Sequence, residues 1–311
     1  MRHRRAYILF PDKHGLSPDL LKATKMLAGL NVSFSLQIRS TIGQAGEANI
    51  TVYNLNREDM EFLSTCAAKW QDQQALIQLF VGYDDDVRLV FSGFITQATP
   101  EGYPDLALNI KALTGQEWWS KTIDISKANV SLMDLIQYSS DASGYPINIT
   151  KQVRQGNQWL NKRLENFSYT GTSWGLMEKI QEMLGDGLAT TANADNIILS
   201  TYNDQTFVWT PTQGSTGDVL YISEKTGMIG VPHPNTGGCD ITMLLNTKVN
   251  IGDRIKLESK RMPLINGEYF VAEFSHIGEL RANTWQTTLR CSHTQTSPRQ
   301  INEGNLSEGL G

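Results

Sequence analysis

Ala48-Asn49-Ile50-Thr51-Val52-Tyr53-Asn54-Leu55 alternates apolar and polar side chains at a period of two, the signature of a half-buried β-strand. Val81-Gly82-Tyr83 adds a second strand signal nearby. Far along the chain, Ile251-Gly252-Asp253-Arg254-Ile255-Lys256-Leu257 and Asn266-Gly267-Glu268-Tyr269-Phe270-Val271 repeat the pattern as strand and strand-turn-strand signals. None of these stretches carries chemistry. Two β units framing a different middle segment imply a protein built to assemble.

Working outward from Ala48, short alternating strands are expected at Ala6 to Phe10, Val32 to Arg39, Glu47 to Tyr53, Leu76 to Val81, Arg88 to Thr96 and Leu106 to Ala112. Gly82-Tyr83-Asp84-Asp85-Asp86 and Pro100-Glu101-Gly102-Tyr103-Pro104 supply turns, and the whole reads as a barrel or strongly curved sheet. Two connecting helices are expected, one from Ser17-Pro18-Asp19 and one from Asn56 with Asp59 three residues on.

Between residues 117 and 213 the periodicity becomes helical. Ser131-Leu132-Met133-Asp134-Leu135-Ile136 joins a serine cap to an acid that can reach back to it, and a second helix runs from Thr172 to Leu184 with a stop at Gly185. Strands at Ile147 to Thr150 and Asn196 to Ser200 make this a small α+β unit. Pro211 to Gly217 reads as a linker. Beyond it, strands are expected at Val219 to Ser223, Met228 to Val231, Asp240 to Leu244, Arg254 to Glu258, Glu268 to His276 and Thr284 to Cys291, with Asn266-Gly267 as a two-residue hairpin signal. The expected fold class is mainly β with an α+β insert. Its division is a first β-barrel over 1–116, an α+β middle domain over 117–213, a second β-barrel over 214–291 and a polar tail over 292–311.

The chain's 311 residues suffice for two or three modest cores, and 40% hydrophobic with 19% charged residues is the composition of a folded chain. A net charge of −5 argues against a general nucleic-acid binder. The one basic run, Arg2-His3-Arg4-Arg5, reads as a solvated terminus, with contact to an acidic surface or DNA as the functional alternative. Cys66, Cys239 and Cys291 are odd in number and widely spaced, which fits synthesis in a reducing cytoplasm. No apolar stretch has the length of a membrane span, so no membrane insertion is expected.

Signals for catalysis and ligand binding are weak. There is no Gly-x-Ser-x-Gly elbow, no phosphate-cradling Gly-Lys-Ser or Gly-Lys-Thr, and no calcium-loop spacing around Asp84-Asp85-Asp86, which reads as a solvated hairpin tip. His233 and Cys239 flank a glycine-rich loop but lack two partners at zinc spacing. Trp118, Trp119, Trp159, Trp174, Trp209 and Trp285 read as core or interface anchors, with stacking on sugars or bases as the alternative. No catalytic residue, cofactor or metal is assigned.

Taken in order, these segments, with Phe91-Ser92-Gly93-Phe94-Ile95, Ile222 to Gly230 and Trp285 to Leu289, resemble the baseplate hub proteins of contractile-tailed bacteriophages, which are related in architecture to the base of type VI secretion spikes. The resemblance implies a non-enzymatic homotrimer in the virion's tail baseplate, made in the host bacterial cytoplasm. Each subunit would give two tube-like barrels, so that three form a ring of six similar units. Such a ring adapts a hexameric tail tube, or tube initiator, above to a trimeric spike below. Its lumen would pass DNA and the tape-measure protein, and wedge proteins are further partners. Because residues 292–311 hold no fused spike, the spike is expected to be a separate protein. Family-like scaffold positions are Asn54, Gly82, Tyr83 and Gly93 in the first unit and Gly227, Gly252, Asn266, Gly267 and Tyr269 in the second. The glycines are expected to supply positive φ or close backbone approach, and the tyrosines to pack at strand ends. Two other classes compete: a carbohydrate-binding receptor module using exposed tryptophans, and a peptidoglycan-degrading hub using Glu268 and Glu273 or Asp84 and Asp86.

Overall fold

The computed structural model describes residues 3–11, 25–39, 45–68, 76–102, 106–157, 160–184, 197–210, 214–216 and 218–293. The helix expected from Ser17, the stop at Gly185, most of the 211–217 linker and the tail beyond His293 lie outside them.

The first β unit comprises β1 (Arg4–Phe10), β2 (Lys25–Leu27), β3 (Asn31–Arg39), β4 (Glu47–Tyr53), helix α1 (Arg57–Ala68), β5 (Leu76–Tyr83), β6 (Asp86–Glu101) and β7 (Ala107–Leu113). The middle region carries α2 (Gln116–Ser120), β8 (Thr122–Ser131), α3 (Leu132–Ser143), β9 (Ile147–Ile149), α4 (Lys151–Gly156), β10 (Arg163–Thr172), α5 (Ser173–Leu184), β11 (Ile198–Tyr202) and β12 (Gln205–Trp209). The last unit holds β13 (Val219–Ser223), β14 (His233–Asn235), β15 (Gly238–Leu244), β16 (Arg254–Glu258), β17 (Gly267–Glu279) and β18 (Trp285–His293).

The chain is thus mainly β. Its first and last units join in one 13-stranded sheet, ordered β14-β15-β18-β17-β3-β4-β7-β6-β5-β1-β2, with β16 on β17 and β13 on β16. The seam is the antiparallel pair β17–β3, in which Phe274 faces Ile38 and Glu279 faces Ser33. Alternation decides which side is buried: Val32, Phe34, Leu36 and Ile38 of β3 enter a core shared with Phe274, Leu289 and Ile241 of the last unit.

Local signals act as their chemistry dictates. Asn56 caps α1, its Oδ1 accepting from the Asp59 amide at 2.8 Å. Ser131 and Asp134 close a capping box on α3, which ends on left-handed Gly144. At the tip between β5 and β6, Asp84 and Asp85 form a two-residue turn with Asp84 at φ +50°.

Two expectations need correction. Met228 to Val231 is not a strand: only Met228 bridges, to Met243. Gly227 and Gly230 turn the backbone to positive φ on either side, and Pro232 has no amide to extend the ladder. Asn266-Gly267 is not a two-residue hairpin turn. β16 and β17 are joined through a 3-10 turn at Pro263–Ile265, and Asn266 is extended (φ −63°, ψ 139°). Its side chain clamps the loop instead, accepting from the Ser259 amide at 2.6 Å and donating to the Ser259 carbonyl at 3.1 Å.

A second core lies in the middle region, where Trp118, Leu135, Ile136, Trp174, Leu176 and Ile180 pack α2, α3 and α5 on the β8–β10 ribbon. The hairpin β11–β12 separates the two cores. Ile198, Tyr202, Phe207 and Trp209 project into the sheet core, whereas Ile197, Leu199 and Val208 project into the helical one. This two-sided burial follows from period-two alternation in a hairpin with no exposed face. Its turn, Asn203-Asp204, holds both residues at positive φ (48° and 57°), the type I′ requirement.

Trp209 also explains Gly252. That glycine has φ +79°, and a Cβ on it would lie 2.5 Å from the indole ring. Gly252→Ala should cost about 2–4 kcal/mol in urea unfolding, from steric overlap plus left-handed strain. Gly227→Ala, with φ +104° but its nearest neighbour at 3.5 Å, should cost only about 1 kcal/mol. Equal losses would refute the packing argument.

Candidate assembly surface

The residues with chemical potential do not converge. Asp86 is held by Arg88 at 2.9 Å and Lys248 at 3.8 Å, and Asp84 accepts from the His3 amide at 2.8 Å. Glu268 pairs with Arg254 at 2.7 Å and Glu273 with Arg290 at 3.8 Å. Each of these acids is thus occupied at the surface rather than poised across a cleft. His233 is exposed on β14, while Cys239 on the adjacent strand is fully buried. Among the described residues no cluster of His, Cys, Asp and Glu could hold a metal ion. His276 is buried in the sheet core with Nδ1 2.8 Å from the Thr287 hydroxyl, and burial holds its pKa down to about 3, so the ring is neutral.

The sequence-selected positions fall at strand ends and crossings. Asn54 takes φ +59° after β4, and its amide donates to the Leu106 carbonyl at 2.8 Å. Gly82 and Gly93 have no left-handed φ; each lies where a Cβ would meet backbone, 2.0 Å from the Asp86 carbonyl oxygen and 2.3 Å from that of Leu113. Gly227 and Gly252 do adopt positive φ. Gly267 opens β17 opposite Leu257 with no such constraint. Tyr269 donates to the Ile265 carbonyl at 2.5 Å and packs on the His293 ring at 4.8 Å. Asn266, Gly267 and Tyr269 share one loop and strand start; the others are dispersed.

Tyr83 reaches across the seam, edge-on to Trp285 at 6.4 Å. Phe34 meets the same indole at 5.4 Å, and the Arg4 guanidinium lies over it at 5.5 Å while donating to the carbonyls of Glu279, Ala282 and Asn283. Arg4 is therefore not part of a merely solvated terminus. Gly278 permits the crossing, because a Cβ there would sit 2.4 Å from Phe34. This Arg4, Phe34, Tyr83 and Trp285 group unites residues up to 281 positions apart, which no local pattern reveals.

Opposite the core, the sheet presents a continuous outer face. One row of cross-strand neighbours alternates in sign, Asp240, Arg290, Glu273, Arg39. The next runs Thr242, Thr288, Ser275, Gln37, and the one beyond runs Leu244, Gln286, Ile277, Ser35, Asn49, Lys111. Uncharged hydroxyl and amide groups dominate its centre. At the margin, Tyr221 on β13 is 58% exposed and Leu264 in the β16–β17 loop 97% exposed. Among the described residues β13, β14 and β2 each pair on one side only, leaving backbone donors and acceptors open to a further strand.

The middle region is tied to the sheet by buried polar contacts. Tyr202 donates to the Val90 carbonyl at 2.9 Å, Asn203 to that of Leu89 at 3.2 Å, and Ser92 to the Asp204 carboxylate. Burial raises the Asp204 pKa above the usual carboxylate range. The folded state therefore binds this proton more readily than the unfolded chain. Its contribution is fullest below the unfolded pKa and is lost as pH rises through the raised one. Asp204→Asn keeps an acceptor for Ser92 and tolerates positive φ. It should match the parent chain near pH 3.5 and exceed it by about 1–2 kcal/mol at pH 7.5 in urea unfolding. A variant less stable at pH 7.5 would show that the charge itself is needed.

The family model described as baseplate hub gp41 matches residues 20–291. The fold is similar to that of a tail protein from Neisseria meningitidis MC58, with a TM-score of 0.58 at 10% identity, covering 94% of this chain and 96% of that one. The 43 kDa tail protein of prophage MuSo2 from Shewanella oneidensis gives 0.58 at 8%, covering 94% and 98%. The E. coli c3393 protein, described as a type VI secretion component structurally similar to T4 tail proteins gp27 and gp5, gives 0.53 at 8%, covering 86% and 74%. No curated protein sequence matches.

Proposed function

Because the chain belongs to the baseplate hub gp41 family, we propose that it acts as a homotrimeric symmetry adaptor at the centre of a phage tail baseplate. A hexameric tube or tube initiator would sit on one side, a trimeric spike on the other. One observation carries the reading: each chain places two β units side by side in a single sheet, joined at β17–β3. Three such chains offer six β units around a threefold axis, which meets sixfold symmetry on one face and threefold on the other.

The unpaired edges of β13, β14 and β2 suit strand addition between subunits, and exposed Tyr221 and Leu264 suit burial in a neighbour. The outer face carries both signs of charge in alternation, with no run of basic residues, which suits a surface past which DNA and the tape-measure protein move without being held. The role is structural rather than enzymatic, and the scaffold positions Asn54, Gly82, Tyr83, Gly93, Gly227, Gly252, Asn266, Gly267 and Tyr269 serve the shape of the two units. Wedge proteins would dock outside the ring. Docking of spike, tube and wedge is expected after synthesis in the host bacterial cytoplasm.

Light scattering should give a mass three times the 34.7 kDa of one chain, alone or on addition of the spike protein from the same genome. Imaging along the axis should show six lobes around an open lumen. A chain that stays monomeric with the spike present would sink the adaptor reading. Tyr221→Asp should weaken trimer formation at least tenfold, roughly 1.4 kcal/mol, with an unchanged circular dichroism spectrum.

A further inference from the structure

We propose that Cys239 and Cys291 form a reversible thiol–disulfide site that staples β15 to β18, closed by a small-molecule disulfide of the oxidised glutathione class. The two residues are direct partners across the antiparallel pair β15–β18. Residues so placed have Cα atoms about 4.5–5.5 Å apart, inside the roughly 4.4–6.8 Å that a disulfide spans. Both thiols are free and both side chains are fully buried. Widely separated in sequence, they are made neighbours by sheet register alone.

The surroundings distinguish the two sulfurs. Contact with Cys291 lowers the Cys239 pKa, whereas burial raises that of Cys291. Cys239 is thus the first nucleophile and Cys291 the resolving thiol. With both sulfurs buried, exchange requires local opening at β14, a three-residue edge strand whose Pro234 faces Cys239 and has no amide to give the ladder. That edge opens at lower cost than the sheet interior.

In the first step the Cys239 thiolate attacks one sulfur of the small disulfide, whose S–S bond breaks and releases one thiolate. In the second, Cys291 loses its proton to the released thiolate and attacks the Cys239 sulfur, expelling the second small thiolate, which takes from water the proton that Cys239 gave up. Two electrons pass from the cysteine pair to the small disulfide; two protein thiols and one small disulfide become one protein disulfide and two small thiols. A phage particle leaving a reducing cytoplasm for an oxidising medium would meet such a change of conditions. The site does not depend on the hub reading, since the pairing lies within one chain.

The test uses the native full-length chain, incubated with oxidised glutathione, then denatured, alkylated with iodoacetamide and weighed intact. The untreated chain should take three alkyl groups, matching its three cysteines. The oxidised chain should take one, on Cys66, and otherwise weigh two hydrogens less, with proteolysis yielding a linked peptide pair containing Cys239 and Cys291. Dithiothreitol should restore all three. Cys66→Ser, treated alike, should take none and stay a single chain on a non-reducing gel. Three alkyl groups after oxidation, a glutathione adduct retained on Cys239 or Cys291, or a bridge to Cys66 would overturn the proposal.

Discussion

The architecture depends on one seam, the antiparallel pairing of β17 with β3. Without it each β unit would keep a long strand edge with unmet backbone groups, and the core that both units share would be open to water. The seam is reinforced by the buried Trp285, which takes Phe34 and Tyr83 edge-on and Arg4 from above. Arg4 simultaneously satisfies three carbonyls of the turn between β17 and β18. Gly278 is the concession that lets the aromatic rings approach, since any side chain there would displace Phe34.

From that seam follow both the outer face and the position of the middle region. Because the pairing keeps one register from Glu273 to Glu279 of β17, beyond a bulge that follows Val271, side chains of β15, β18, β17, β3, β4 and β7 align in common rows. A slip of one residue would bring Phe34 and Leu36 to the outside and Ser33 and Ser35 to the core, which the hydrophobic pattern forbids. The β11–β12 hairpin then inserts between sheet and helices, apolar on both faces. It carries Asp204 into a half-buried site, where hydrogen bonds from Ser92 and Tyr145 offset part of the cost of burying a carboxylate.

These features describe a chain whose polar chemistry serves shape. Buried acids such as Asp253 accept from Ser215, Thr216 and the Asn250 amide, anchoring the strand that follows the middle region. Exposed Glu61, Asp86, Glu117 and Glu268 pair with nearby cations. Membership of the baseplate hub gp41 family accords with this use of residues, and tail proteins with very different sequences share the fold. A fold retained at 8–10% identity is specified by alternation and turn geometry more than by particular side chains.

Local periodicity was legible. Glu47–Tyr53, Val219–Ser223 and Arg254–Glu258 have the bounds that alternation dictates, and the caps at Asn56 and Ser131 start α1 and α3 because cap chemistry acts within four residues. The β12 strand and its Asn203-Asp204 turn escaped notice because a strand buried on both faces shows no alternation. Asn266-Gly267 misled because Asn266 is committed to Ser259, an interaction that turn statistics do not include. Sequence by itself therefore determined the β character, the helical middle and the family. Tertiary structure alone decided the meeting of Arg4 with Trp285, of Tyr202 with Val90 and of Cys239 with Cys291. Those contacts arise only when register brings distant strands together, and the free energy that selects the register belongs to the whole core rather than to any one segment.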